Sequence, residues 1–572
     1  MRWLWLCAVA VAILTLGEAV VDLPWWRTAV LYQVYPRSFK DSDGDGVGDL
    51  KGITEKASYL KELGVTAIWM NPIFKSPMAD FGYDISNYRK IDPLYGSNKD
   101  LLELLQKLHE LDIKLLLDLV PNHSSDEHEW FQKSVRRKED PYTDYYVWHD
   151  GKIDNVTNQR SPPNNWASIF GGSAWTWNGK RQQYYLHQFV EKQPDLNYRN
   201  PHVVREMDNI IRYWLDMGFD GFRMDAVPFL FEDQQLRDDP KLPNGLLDPV
   251  YTRNRPGTFK LLQHWADVVL EYIRADGKDR ALFLEAYADL KNTAKYYGRG
   301  NRSFMQPFNF ELQQYTNFTT RAVELRDIIV GFIHAMPSNV TVTWVIGNHD
   351  RARVSSKYEP EMIDALNLLT GVLPGVKGVY YGEEIGMQNT SIRWDQTIDP
   401  SGRLLGPDHY QEGSRDPVRT PMQWNDSQSA GFSSNRTTWL PVNPNYWRLN
   451  VKAQRKAEAS HLKVFQAITA LKQDPVLLRG HLKVLAPNND TLVVVRTFHD
   501  SSFVLLINMG SYVTTYTTQN LFSSLGMDID MTVTIASLNS GLSPGMELKQ
   551  RRASVSLRPK AAVLLKSGPS PP

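Results

Sequence analysis

Gly218-Phe219-Asp220-Gly221-Phe222-Arg223-Met224-Asp225-Ala226-Val227 decides how this chain is read. It is a short buried strand whose last residues carry charge. Alternate residues of a strand share a face, so Arg223 and Asp225 point one way and Phe222 and Met224 the other. A guanidinium beside a carboxylate favours the ionised form and lowers its pKa, as a carboxylate nucleophile requires.

Working outward, apolar strands alternate with amphipathic helices. Strands are expected at 30–35, 67–71, 114–120, 219–225, 282–286, around 304–307, 343–346 and 379–381, with helices such as 53–63, 100–111, 203–217 and 361–369 between them. Eight such units predict an α/β fold, a closed (β/α)8 TIM barrel built from residues 20–120 and 198–478. Two long irregular stretches interrupt the alternation. Residues 121–197 form an inserted loop-rich domain after the third strand, and about 385–450 follow the eighth. Both emerge at the barrel's C-terminal face, where loops this long build the walls of a pocket. From 479 to 572 the pattern changes to alternating apolar strands, which predict a C-terminal antiparallel β-sandwich domain.

Composition narrows the partners. Lys+Arg and Asp+Glu both number 64, so no net charge argues for nucleic acid or an anionic membrane. Arg2, the apolar run 3–16 and Gly17-Glu18-Ala19 make a secretory signal over residues 1–19, with a signal anchor as the alternative. The single cysteine, Cys7, lies inside it, so the mature chain has no thiol chemistry. Export agrees with Asn-x-Ser/Thr sequons at Asn155, Asn301, Asn317, Asn339, Asn389, Asn425, Asn435 and Asn489. No membrane partner is expected, and the chain is read as a monomer or homodimer.

The loop after the first strand, Asp41-Ser42-Asp43-Gly44-Asp45-Gly46-Val47-Gly48-Asp49, spaces carboxylates at alternate positions with glycines between. Asp41, Asp43, Asp45 and Asp49, with a backbone carbonyl near Val47, can wrap one hard cation, Ca²⁺ or Mg²⁺. The absence of histidine makes it a structural site.

Five segments end strands or begin loops at one face: Asp118–His123, Arg223–Asp225, Phe283-Leu284-Glu285-Ala286-Tyr287, Gly347-Asn348-His349-Asp350 and Gln193-Pro194-Asp195-Leu196-Asn197. In order and spacing they resemble the sequence blocks of the α-amylase superfamily of glycoside hydrolases, and specifically of insect maltases (α-glucosidases). The resemblance runs from about residue 25 through the β domain. It implies Asp225 as nucleophile, Glu285 as general acid and Asp350 as a third carboxylate that grips sugar hydroxyls. Burial of Glu285 among Phe283, Leu284, Ala286 and Tyr287 would raise its pKa and suit the acid role. The resemblance further implies His123 and His349 as hydroxyl donors. It places Asp80 and Tyr83 at the closed end of the pocket, with Asp80 paired to Arg415 or, alternatively, Arg419. A closed end makes the enzyme exo-acting, and two carboxylates acting by double displacement retain the α configuration. Ala226, in place of a valine after the nucleophile, goes with α-1,4 linkages in that family, which points to maltose, short malto-oligosaccharides and sucrose as substrates. No cofactor is implied for catalysis. Two other readings share the scaffold: a non-catalytic heavy-chain subunit of an amino-acid transporter, and a transglycosylase or isomerase.

Overall fold

The computed structural model describes residues 23–137, 141–517, 530–549 and 554–567. The signal segment expected over 1–19, Cys7 included, lies outside them. Eight parallel strands close a barrel: β1 (Val30–Val34), β2 (Ala67–Met70), β3 (Lys114–Leu119), β4 (Gly221–Met224), β5 (Ala281–Leu284), β6 (Met305–Asn309), β7 (Thr343–Trp344) and β8 (Val376–Tyr380). Closure comes from β1, which pairs with both β2 and β8. Apart from Lys114, every residue of these strands is buried. Burial on both faces is why they read as continuous apolar runs rather than as alternation.

Two departures from expectation have local causes. β8 begins at Val376, earlier than the expected 379, because a lysine interrupts its apolar run. Lys377 is nonetheless buried, its Nζ donating to Asn367 Oδ1 (3.0 Å) and Thr370 Oγ1 (2.6 Å) on the helix Ile363–Val372. The helix expected over 53–63 is two, Leu50–Glu55 and Ala57–Glu62, broken where Lys56 leaves helical geometry at φ −98°, ψ 2°. Asp49 caps the first by accepting the Gly52 N–H at 2.7 Å.

The C-terminal region forms a six-stranded antiparallel sheet and a separate two-stranded ribbon. Alternation along Thr491–Phe498 divides its side chains cleanly. Leu492 and Val494 pack on the barrel's outer helices, whereas Val493 and Val495 pack beneath Val555 and Leu557 of the ribbon. Buried Arg496 fastens the two regions, donating to the carbonyls of Val372 and Leu477 at 2.7 Å each.

Between β3 and the helix Pro201–Asp216 the chain builds a small three-stranded sheet of its own. A third long loop, between β4 and the helix Pro256–Asp276, escaped the sequence reading because it has no periodicity. It docks on the first insertion: Trp166 Nε1 donates to Arg237 O and Asn165 Nδ2 to Asp239 O, each at 2.9 Å. Among the described residues, no helix is long and apolar enough to cross a membrane.

Candidate active site

The parallel register places Arg223 of β4 opposite Asp118 of β3 and Phe283 of β5. Three carboxylates converge on its wholly buried guanidinium. Nη1 donates to Asp118 Oδ1 (2.7 Å) and Asp225 Oδ1 (2.5 Å), and Nη2 lies 2.8 Å from Glu285 Oε1. The guanidinium carbon also sits 4.8 Å from the centre of the Trp69 ring. Ala226, in the left-handed region at φ 50°, turns its N–H onto Glu285 Oε2 at 2.8 Å.

One buried positive charge does not keep three carboxylates ionised. Burial pushes Asp118 up to about 6 and Asp225 well above the usual carboxylate range, in both cases against the pull of Arg223 and with Glu285 adding to the rise. Arg223 therefore does not set the ionisation of Asp225 alone: desolvation, Glu285 and Asp118 all act against it. The apolar surroundings expected for Glu285 are likewise confined to its chain neighbours, since its carboxyl faces Arg223 and a backbone amide.

Asp350 follows β7 and meets two arginines, Arg419 Nη2 at 2.9 Å and Arg415 Nη1 at 3.4 Å. Burial opposes its ionisation, but the guanidiniums of Arg419 and Arg415 offset this and hold it well below the usual range. Arg415 Nη2 donates to Asp80 Oδ1 at 2.7 Å and to Asp399 Oδ1 at 2.6 Å, while Gln193 Nε2 reaches Asp80 Oδ2 at 3.2 Å. Arg419, the alternative partner for Asp80, goes to Asp350 instead.

The two histidines differ. Burial pushes His123 down to about 3, so its ring is neutral, and its Nε2 is buried with no partner among the described residues. His349 is also buried and neutral, but its nitrogens are taken: Nδ1 lies 2.8 Å from Gln33 Nε2, and Nε2 lies 2.8 Å from the Tyr83 hydroxyl. With Gln33 donating to Nδ1, the ring proton sits on Nε2 and points to Tyr83, whose own hydroxyl donates to Asp118 Oδ2 at 3.0 Å. His349 thus has both ring nitrogens engaged by Gln33 and Tyr83, whereas His123 Nε2 has no partner among the described residues.

These side chains line a small inner chamber of about 60 Å³, with Asp80, Tyr83, His123 and Arg415 at one end and Asp225, Glu285 and Asp350 nearby. It continues into an outer cavity of about 690 Å³, walled by Phe170 and Phe189 of the first insertion, Ala226, Pro228 and Phe229 after β4, and Gln411–Arg415 of the last insertion. Phe170, Phe189, Glu285, Asp350 and Arg415 line both chambers. All three long loops therefore contribute to one pocket.

The comparisons with known proteins decide the family. The α-amylase catalytic-domain model matches residues 33–480. The chain belongs to the α-amylase family of glycoside hydrolases. A Drosophila virilis protein named Maltase 1 is 48% identical over 497 residues, 85% of this chain and 78% of that protein. A salivary alpha-glucosidase of Aedes aegypti is 43% identical over 510 residues, 87% and 88% of the two chains. Among solved structures, an alpha-glucosyl transfer enzyme superposes with a TM-score of 0.83 at 34% identity, covering 96% of this chain and 100% of that one.

The acidic loop gathers only part of its expected set. Carboxylate oxygens of Asp41, Asp43 and Asp49 lie within 4.8 Å of one another. Asp45 falls outside the group, its Oδ1 accepting the Val47 N–H at 2.7 Å. Of the sequons, Asn155, Asn301, Asn317, Asn339 and Asn489 are exposed, whereas Asn389, Asn425 and Asn435 are half-buried. Asn389 Oδ1 accepts the Arg353 N–H and Asn435 Nδ2 donates to Gly44 O.

The sequence reading missed Asp399 and the role of Asp118. Neither carries a local signal, because each acts through an arginine distant in the chain. Asp195 was read as part of the site block, yet it lines neither chamber. Its carboxyl accepts from the Gln188 N–H (3.0 Å) and Nε2 (2.6 Å), and burial pushes it up to about 8. Its folded pKa exceeds the unfolded value of about 3.9, so its stabilising contribution is complete at low pH and is lost as pH rises through about 8. The thermal midpoint of Asp195→Asn, relative to wild type, should rise steadily between pH 5 and pH 8. A difference that stays constant across that range would contradict the assignment.

Proposed function

We propose that this enzyme is a secreted, exo-acting, retaining α-glucosidase that removes terminal α-1,4-linked glucose from maltose and short malto-oligosaccharides and also cleaves sucrose. The observation that carries the reading is the inner chamber that brings the Asp80–Arg415 pair together with two Arg223-linked carboxylates, Asp225 and Glu285. The names of the insect relatives support the activity, and the salivary one supports secretion. Ala226 supports the α-1,4 preference through the family resemblance.

A terminal glucose enters with its non-reducing end towards Asp80 and Arg415, and the unpartnered His123 Nε2 meets one of its hydroxyls. Asp225 attacks the anomeric carbon; a carbon–oxygen bond to the carboxylate forms as the bond to the leaving oxygen breaks. Glu285 gives its proton to that oxygen. It then takes a proton from water, whose oxygen attacks from the face the leaving oxygen vacated as the bond to Asp225 breaks, restoring the α configuration. Asp350, kept charged by its two arginines, faces the positive charge that develops on the sugar. Transfer of glucose to a second sugar in place of water is the second reading, favoured by the likeness to the glucosyl transfer enzyme.

A Ca²⁺ (or Mg²⁺) ion fits the three oxygen donors of Asp41, Asp43 and Asp49, which otherwise repel one another. It would supply structure rather than chemistry, tying this loop to Ser433, whose hydroxyl donates to Asp41 Oδ2.

Glucose release from maltose, isomaltose, sucrose and starch tests the activity. Maltose and sucrose should be cleaved, isomaltose and starch poorly, and Asp225→Asn should lose roughly a thousandfold or more. A folded wild type that cleaves starch internally, or glucosyl transfer outpacing glucose release at high maltose, would sink this reading. Mass spectrometry of protein recovered from culture medium tests the rest. It should find an N-terminus near residue 20, glycans on the five exposed sequons, and one Ca²⁺ whose removal by a chelator lowers the thermal midpoint. Retention of the apolar leader, or a metal-free protein of unchanged midpoint, would refute the corresponding part.

A further inference from the structure

The outer cavity holds a group that the proposed reaction does not use. Arg253 lies in the loop between β4 and the helix Pro256–Asp276, and its side chain lines the cavity wall with Phe229, Tyr287 and Arg351. The guanidinium carbon sits 4.9 Å from the Phe229 ring centre. Its Nε is buried without a hydrogen-bond partner, and no carboxylate or carbonyl among the described residues accepts from the guanidinium. The other buried arginines of the site are all committed: Arg223 to three carboxylates, Arg415 to Asp80 and Asp399, and Arg419 to Asp350. Asp239 and Asp248 favour the charge of Arg253 from a distance, but its N–H donors have no acceptor among the described residues, which is costly unless something meets them in use.

Its neighbours hold Arg253 in place. The Asn254 N–H donates to Pro228 O at 2.9 Å, Asn254 Oδ1 accepts from the Tyr296 hydroxyl at 2.6 Å, and Arg255 Nη2 donates to Asp233 at 3.1 Å. Its position along the pocket is equally defined. Asp80 and His123 line the inner chamber alone, Arg253 and Phe229 the outer one alone, and Glu285 lines both. Glu285 is the group assigned to the leaving oxygen, so Arg253 stands on the leaving-group side of the bond that breaks.

We infer that Arg253 is a specificity-determining residue that binds the leaving-group sugar, donating from its guanidinium to hydroxyls of the second glucose unit while Phe229 meets that sugar's apolar face. The inference rests on the α-glucosidase reading above. The planar fork of N–H donors suits adjacent hydroxyls. A neutral sugar fits better than a phosphate or carboxylate, because the cavity's charges balance, with Arg253, Arg351 and Arg415 against Glu285, Asp350 and Glu412.

The test compares maltose with α-D-glucosyl fluoride, whose leaving group offers no hydroxyl. Arg253→Ala should lower kcat/KM for maltose about tenfold, chiefly through KM, and change it for the fluoride at most about twofold. Arg253→Lys, which keeps the charge but loses the fork, should recover part of the loss. Equal losses on both substrates would overturn the inference in favour of a packing role, and so would an unchanged kcat/KM for maltose. A wild type inactive on both substrates would overturn the reading beneath it and the inference together, and is distinct from either of those results.

Discussion

A single buried positive charge, Arg223, sets the terms for the catalytic centre. Taking a guanidinium out of water is expensive, and the protein offsets the cost with Asp118, Asp225 and Glu285. Three carboxylates share this one cation, so their protonation is coupled. Double displacement through carboxylates needs that composition: one group charged enough to attack and one proton available for the leaving oxygen. The barrel makes the arrangement possible because parallel register brings β3, β4 and β5 side by side with these residues at one end.

Arg415 plays the matching part at the closed end of the pocket. It binds Asp80, which is 335 positions away in sequence, and Asp399, which is 16 away, and it also approaches Asp350. The loop after β2, the loop after β7 and the last insertion are thereby pinned to one another through charge-assisted hydrogen bonds. The same contact that fastens the loops also contributes to the wall of the inner chamber.

The barrel was legible because strands buried on both faces are written as apolar runs, and the site blocks were legible because catalytic side chains cluster at strand ends. What escaped has physical reasons. Lys377 broke the signal of β8, since a lysine satisfied by Asn367 and Thr370 looks like a surface residue in sequence. The loop between β4 and the helix Pro256–Asp276 has no period to read, yet it supplies one wall of the pocket and Arg253. Asp399 and Asp118 act through distant arginines. A pairwise argument from Arg223 leaves out the burial of Asp225 and the other carboxylates, which appear only once the strands are side by side.

The account stands on Asp225 as the atom donor of a covalent intermediate. Incubating the enzyme with 5-fluoro-α-D-glucosyl fluoride, which forms the glycosyl ester faster than it is hydrolysed, and mapping the labelled peptide by mass spectrometry tests this directly. The label should appear once per chain, as an ester on Asp225. A label on Glu285, Asp350 or Asp118, or turnover with no ester at any of them, would contradict the assignment of the nucleophile.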